Sequence, residues 1–208
     1  GEKNLETWMR NYGLGDFTGI ELASEEDDGL VPTPDWKKRV LDESWYLGDT
    51  INASIGQGNV LATPLQIAVM FAAVANGGDR VTPHLVMTGE EAKDWRTPVG
   101  MKPETVRVLQ EGLREVVSNG TGGAVNDPML PPISGKSGTA EAPPGENHTW
   151  FGAYGPSDNP EIVVVALGEH SGGGGGSFAA PKVKKVLDQY FGVKRPAGEV
   201  AAPIPPGD

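Results

Sequence analysis

Apolar residues recur at helical spacing in four places along the chain and run as strands in three. Leu5, Trp8, Met9 and Tyr12 share one face of a helix expected from Asn4 to Tyr12, with Asn4 placed to cap its start and Gly13 just past its end. A second helix is expected from Thr63 to Gly77. Thr63 serves as its cap, Pro64 fits the first helical position and Gln66 completes a capping box. Its body, Leu65 to Val74, is apolar all round except at Gln66, the pattern of a buried helix. A third, Pro103 to Ser118, carries a stripe of Val106, Leu109, Leu113, Val116 and Val117 and is broken by Asn119-Gly-Thr-Gly-Gly123. The last, Phe178 to Phe191, buries Val183, Val186, Leu187, Tyr190 and Phe191. The strands are Ile133–Glu141, His148–Tyr154 and Glu161–Leu167. Turn residues fill 155–160, so the last two form an antiparallel hairpin. Ile162 to Val165 shows no alternation, which predicts a central strand covered on both faces. Gly13 to Lys37 reads as loop with a short strand at Gly19–Leu22, and Gly172–Gly176 as a flexible connector. Helices set apart from an antiparallel sheet make an α+β domain.

Composition narrows the classes. The 208 residues carry 17 Lys and Arg against 28 Asp and Glu, a net charge of −11, which argues against nucleic acid or an anionic membrane surface as partner. There is no Cys, so disulfides, Cys zinc sites and thiol nucleophiles are excluded. Gly (30) and Pro (18) point to many loops, while 38% hydrophobic residues are enough for a core. No apolar run is long enough to span a bilayer. The chain starts at Gly1 rather than Met and is expected to be a piece of something longer. The sequence after Gly192 is rich in Ala, Pro and Gly and is expected to be a disordered tail, residues 193–208.

Several chemistries are absent or weak. G-x-S-x-G and H-E-x-x-H do not occur, and the three His (His84, His148, His170) come with no Ser or Asp signature. The acidic run Glu25–Asp28 reads as a solvated loop rather than a metal site. The Gly172–Gly176 run lies between a strand and a helix, as phosphate-cradling loops do, but lacks the Lys-Ser/Thr ending and follows an antiparallel strand. The informative segment is Ser134-Gly-Lys-Ser-Gly-Thr-Ala-Glu141. On a strand, Lys136 and Ser137 point to opposite faces, Gly138 lets a ligand backbone approach, and Thr139 adds a hydroxyl and a backbone N–H. That could serve as an edge for an extended peptide with a terminal carboxylate, but for the motif alone a plain strand with a solvent Lys is the default reading.

The surroundings of that segment change its weight. Lys136-Ser-Gly-Thr139, His148-Thr-Trp-Phe-Gly-Ala-Tyr154 and Pro160–Leu167, then a Gly-rich loop and a terminal helix, resemble the penicillin-binding proteins. So do the upstream segments Gly29-Leu-Val-Pro-Thr-Pro-Asp-Trp-Lys37, Trp45-Tyr-Leu-Gly-Asp-Thr50, Ser54-Ile-Gly-Gln-Gly58 and Thr63-Pro-Leu-Gln66. The match is to the elongation-type class B members commonly called penicillin-binding protein 2, with details that look cyanobacterial (Asn76-Gly-Gly78, Val117-Ser-Asn-Gly-Thr121 and Gly172–Gly176). It covers about residues 1–192, which by this resemblance look like the C-terminal portion of a transpeptidase domain of the penicilloyl-serine-transferase fold.

The resemblance implies a D,D-transpeptidase that cross-links peptidoglycan. A Ser-x-x-Lys serine is acylated by the D-Ala-D-Ala end of a stem peptide or by a β-lactam, a Ser-x-Asn motif helps move protons, and a Lys-Ser/Thr-Gly strand binds the peptide. By this resemblance Lys136 orients the proton-transfer network and the substrate carboxylate, Ser137 hydrogen-bonds the substrate or the second motif, and Gly138 keeps the strand open. Thr139 binds the terminal carboxylate and lends its N–H to the oxyanion hole. Trp150 and His148 line the cleft or simply pack within the hairpin. Gly56 and Gly58 are backbone requirements of a scaffold turn. No metal or cofactor is implied. The partners implied are stem peptides, β-lactams and the cell-elongation machinery, on the periplasmic side of the cytoplasmic membrane and anchored by an N-terminal helix outside this chain. Only the third motif is here: no Lys has a Ser three residues before it. Ser157-Asp-Asn159 spells Ser-x-Asn but follows the Lys-Ser-Gly strand instead of preceding it. The chain alone is therefore expected not to acylate. A non-catalytic peptide-binding or scaffold module of the same fold, and a β-lactamase or β-lactam sensor, are the other readings.

Overall fold

A computed structural model describes residues 1–22, 24–86 and 95–194. The chain divides into two compact units, one of residues 1–73 and 78–101, the other of 74–77 and 102 onward. The expected tail lies outside the described residues from 195 on.

In the first unit, α1 (Glu2–Asn11) starts two residues before the expected Asn4 cap, and Gly1 is its cap. The strand expected at Gly19–Leu22 does not form, and the segment is irregular. Gln66 explains why that loop is ordered without a ladder. Its side-chain amide donates to the Asp16 and Asp28 carbonyls at 2.9 and 2.8 Å, clamping both sides of the segment. The same residue closes the expected capping box of α4 (Pro64–Ala75): Thr63 N–H donates to Gln66 Oε1 at 2.9 Å, and Gln66 N–H to Thr63 Oγ1 at 3.1 Å. After Pro64 no residue of α4 is exposed, as its apolar sequence requires.

Two further helices were not expected, the first of them beginning inside the segment read as loop. α2 (Pro34–Leu41) is capped by Thr33, whose Oγ1 accepts from Trp36 N–H, and α3 spans Leu47–Ser54. Asp49 caps α3 by accepting the Tyr46 N–H at 2.7 Å. The Lys37 ammonium, almost fully buried, donates to both oxygens of that carboxylate and lies 3.3 Å from Glu43. Gly56 and Gly58 follow α3 with φ of +73° and +74°, a region that side-chain-bearing residues avoid. Two three-residue strands, β1 (Asp79–Val81) and β2 (Arg96–Pro98), pair antiparallel.

The second unit holds the larger sheet. Its strands β3 (Ser134–Ala140), β4 (His148–Gly155) and β5 (Ile162–Gly168) form one antiparallel meander in that order. Among the described residues β4 is therefore the central strand and β5 an edge, whereas β5 was expected to be central. An unalternating apolar run reports covered faces, not sheet position. Here every β5 residue is only half-buried. The core packs α5 (Pro103–Ser118) and α6 (Ala180–Tyr190) against one sheet face, with Val117, Phe151, Ala153, Val183 and Leu187 at 0% exposure. Leu109 of the expected α5 stripe is more than a third exposed. Arg114 of α5 donates to the Ile133 carbonyl at 2.8 Å and fixes the start of β3.

The glycine run, expected as a connector, ends packed against the sheet. Gly175 opens a π-helical turn, Gly175–Ala179, that leads into α6. A Cβ on Gly175 would collide with the Trp150 carbonyl oxygen and lie 2.5 Å from the Gly138 carbonyl oxygen. Its backbone thus lies flat on β3 and β4, and only glycine permits that approach.

Candidate active site

The sheet register sorts the site residues by face. Lys136 pairs with Gly152, Ser137 with Phe151, Gly138 with Trp150, Thr139 with Thr149 and Ala140 with His148. Opposed residues of an antiparallel pair share a face, and faces alternate along each strand. Lys136, Gly138, Trp150 and His148 therefore lie on one face. Ser137 and Thr139 lie on the other, with fully buried Phe151 and Thr149. β3 is an edge of the described sheet, with Lys136 and Thr139 exposed and Ser137 and Gly138 half-buried.

Lys136 is exposed, and its ammonium donates to the Ser137 carbonyl at 2.6 Å. A Cβ on Gly138 would press on Trp150 Cβ at 3.3 Å, so this glycine makes room for the tryptophan. His148 is tied to the segment after β5: its Nδ1 accepts the His170 N–H at 2.9 Å, and the two rings meet edge to face at 4.4 Å. Tyr154, on the Lys136 face, is fully buried, and burial pushes its phenol above the ordinary range. Ser157 is bound into the hairpin turn. Its N–H and Oγ both donate to the Pro132 carbonyl, and its Oγ accepts from Ser134. That arrangement accounts for the Ser-x-Asn lookalike as turn chemistry.

One residue escaped the sequence reading. Thr121, in the Gly-rich break after α5, brings its Oγ1 within 2.6 Å of Ser137 Oγ. Nothing local marks it, because Asn-Gly-Thr-Gly-Gly reads as a helix stop. Only the packing of that break against β3 gives it a partner.

Residues 1–188 match the penicillin binding protein transpeptidase domain. The chain belongs to that family. It is 36% identical to peptidoglycan D,D-transpeptidase MrdA of Haemophilus influenzae, over 96% of this chain and 34% of that protein. Its structure aligns with Pseudomonas aeruginosa PBP2, solved in complex with WCK 5153, at a TM-score of 0.79 and 32% identity, covering 91% of this chain and 44% of that one. Helicobacter pylori PBP2, solved in complex with MreC, aligns at 0.79 and 27% identity, covering 89% and 34%. The transpeptidase relatives thus share the sheet and helices described above, and the chain spans about a third of the length of the curated relatives it matches. Among the described residues, no helix of this transpeptidase segment is long and apolar enough to cross a membrane.

Proposed function

We propose that this chain is the Lys-Ser-Gly-bearing part of a peptidoglycan D,D-transpeptidase, working within a longer protein of the relatives' kind. The observation that carries the reading is the edge strand β3, which offers Lys136 on one face and Ser137 and Thr139 on the other. An extended stem peptide ending in D-Ala-D-Ala adds along that edge, and a β-lactam occupies the same place. Lys136 holds a fixed positive charge beside the reacting serine and stabilises the negative charge that develops in acyl transfer. Ser137 and Thr139 take the terminal carboxylate, and the Thr139 N–H serves as one donor of the oxyanion hole. Trp150 and His148 border the ligand on the Lys136 face. The nucleophile comes from outside these 208 residues, since no Ser-x-x-Lys lies within them. The half-buried β5 face supports this, since it gives the rest of the domain an apolar surface to cover.

The protein works outside the cytoplasmic membrane, where its substrate lies. By analogy with the MreC-bound relative, its partners belong to the elongation machinery. The test is covalent labelling by a fluorescent penicillin, read on a denaturing gel. A transpeptidase of the relatives' length containing this chain takes the label, its Lys136→Ala variant takes much less, and the 208-residue chain takes none. An unlabelled but folded full-length protein overturns the reading in favour of a non-catalytic peptide-binding module. A labelled 208-residue chain would place the nucleophile among its own serines.

A further inference from the structure

We propose that Thr121 is a positioning residue that sets the direction of the Ser137 hydroxyl. The inference rests on the transpeptidase reading of Ser137 and goes one residue beyond it. Thr121 Oγ1 and Ser137 Oγ are 2.6 Å apart, a short hydroxyl–hydroxyl bond in which either can donate. Each hydroxyl has one proton. A carboxylate accepts and never donates, so a bound carboxylate on Ser137 claims the Ser137 proton. The bond between the hydroxyls must then run from Thr121 to Ser137. Each bond in such a chain polarises the next, so Thr121 strengthens as well as aims the Ser137 donor.

The Thr121 side chain is exposed, but the backbone that carries it is held in place. The Gly122 N–H donates to the Val116 carbonyl at 2.8 Å, turning the chain sharply after α5. A Cβ on Gly176 would collide with the Thr121 carbonyl oxygen, so the π-helical turn closes down on this residue. Across β4, Ser137 pairs with fully buried Phe151, which anchors its side of the bond. The branched side chain of Thr121 adds stiffness at χ1. The π-helical turn thus has a task in the site: it backs the residue that aims Ser137.

The test uses the same full-length protein and the second-order rate of acylation by a fluorescent penicillin with a free carboxylate. Thr121→Val, which keeps the shape and removes the hydroxyl, lowers that rate by about three- to tenfold. Thr121→Ser stays within about twofold of wild type, since one hydrogen bond of this kind is retained. In a Ser137→Ala background, Thr121→Val has no further effect, because the bond it breaks is already gone. Thr121→Ala serves as a second hydroxyl-free variant, and each variant's melting temperature is measured alongside. An unchanged rate in Thr121→Val overturns the proposal. So does an equal fall in the Ser137→Ala background, a failure of Thr121→Ser to rescue, or unfolding of both hydroxyl-free variants, which would make Thr121 structural. If the wild type takes label and Thr121→Val is its equal, only the role of Thr121 falls. If a folded wild type takes none, the transpeptidase reading falls and this one with it.

Discussion

The Lys37 ammonium donates to both carboxylate oxygens of Asp49, at 2.9 and 2.8 Å, and Lys37 is 6% exposed. One bond pair thereby joins two segments that the sequence presents separately, Gly29–Lys37 and Trp45–Thr50. Asp49 also accepts the Tyr46 N–H, so a single carboxylate fixes α2 to α3 and caps α3. The Lys37 ammonium beside it, helped by the Tyr46 N–H, holds the Asp49 carboxyl below the usual carboxylate range. Asp49 in turn, with Glu43, raises the Lys37 ammonium above its ordinary value.

The sign of the pH dependence follows. A depressed carboxyl contributes stability above its unfolded value, and that stability is lost as pH falls through the folded one. A raised ammonium contributes below its unfolded value and loses that contribution as pH rises through the folded one. Asp49→Asn should therefore lower the melting temperature most near neutrality. The gap from wild type should close as pH drops below about 4, the ordinary aspartate range. A gap that persists in acid would show that the pair contributes no charge-dependent stability.

Gln66→Glu should be more damaging than its small change in shape suggests. Gln66 is 0% exposed, and its amide donates to two backbone carbonyls. A carboxylate there has no proton to give and sits among acceptors. A loss of about 3 kcal/mol is expected, from two unsatisfied buried carbonyls and a disfavoured charge. Denaturant unfolding measures it, and the loss should shrink in acid, where the carboxyl is protonated and can donate once.

Gly175→Ala should destabilise the second unit by about 3 kcal/mol or more, since the new Cβ meets backbone on two strands and neither can yield cheaply. Gly173→Ala is the contrast. Its Cβ would find nothing nearer than Ser177 Oγ at 3.9 Å, so its smaller cost comes from its φ of +71° alone. Equal melting temperatures for the two variants would contradict the close packing of Gly175.

Lys136→Ala in the full-length transpeptidase should lower penicillin acylation by about 100-fold, the scale of losing one preorganised electrostatic contact. The melting temperature should barely move, because Lys136 is exposed and, among the described residues, its ammonium donates to a neighbouring carbonyl. Stopped-flow acylation and a thermal melt separate the two effects.

The elements that were legible in the sequence are those whose signal is local. The Thr63-Pro64-x-Gln66 start of α4, the Pro103–Ser118 stripe and the 155–160 turn each contain their own physics, and each stands where expected. The same Thr-Pro start signal stands at Thr33-Pro34, yet α2 was obscured by the Gly- and Pro-rich loop before it. α3 is harder. Its Gly48, Thr50, Asn52 and Ser54 are weak helix formers, and its apolar Leu47 and Ile51, like Ile55 just after it, are exposed. Asp49 and the Trp45–Thr50 side-chain bond hold it instead. The site divides in the same way. The Lys136–Thr139 motif is contiguous and could be read directly, whereas Thr121 meets Ser137 only through the fold.

The bond from the His170 N–H to His148 Nδ1 has a further chemical meaning. A nitrogen that accepts a hydrogen bond cannot also carry the proton, so the neutral imidazole of His148 is the Nε2–H tautomer. While that bond holds, the ring has no lone pair left for taking a proton from a ligand. What it can offer beside Trp150 is an N–H. The fold thus leaves His148 an N–H donor at Nε2, and while the bond from His170 holds the role of general base is closed to the ring.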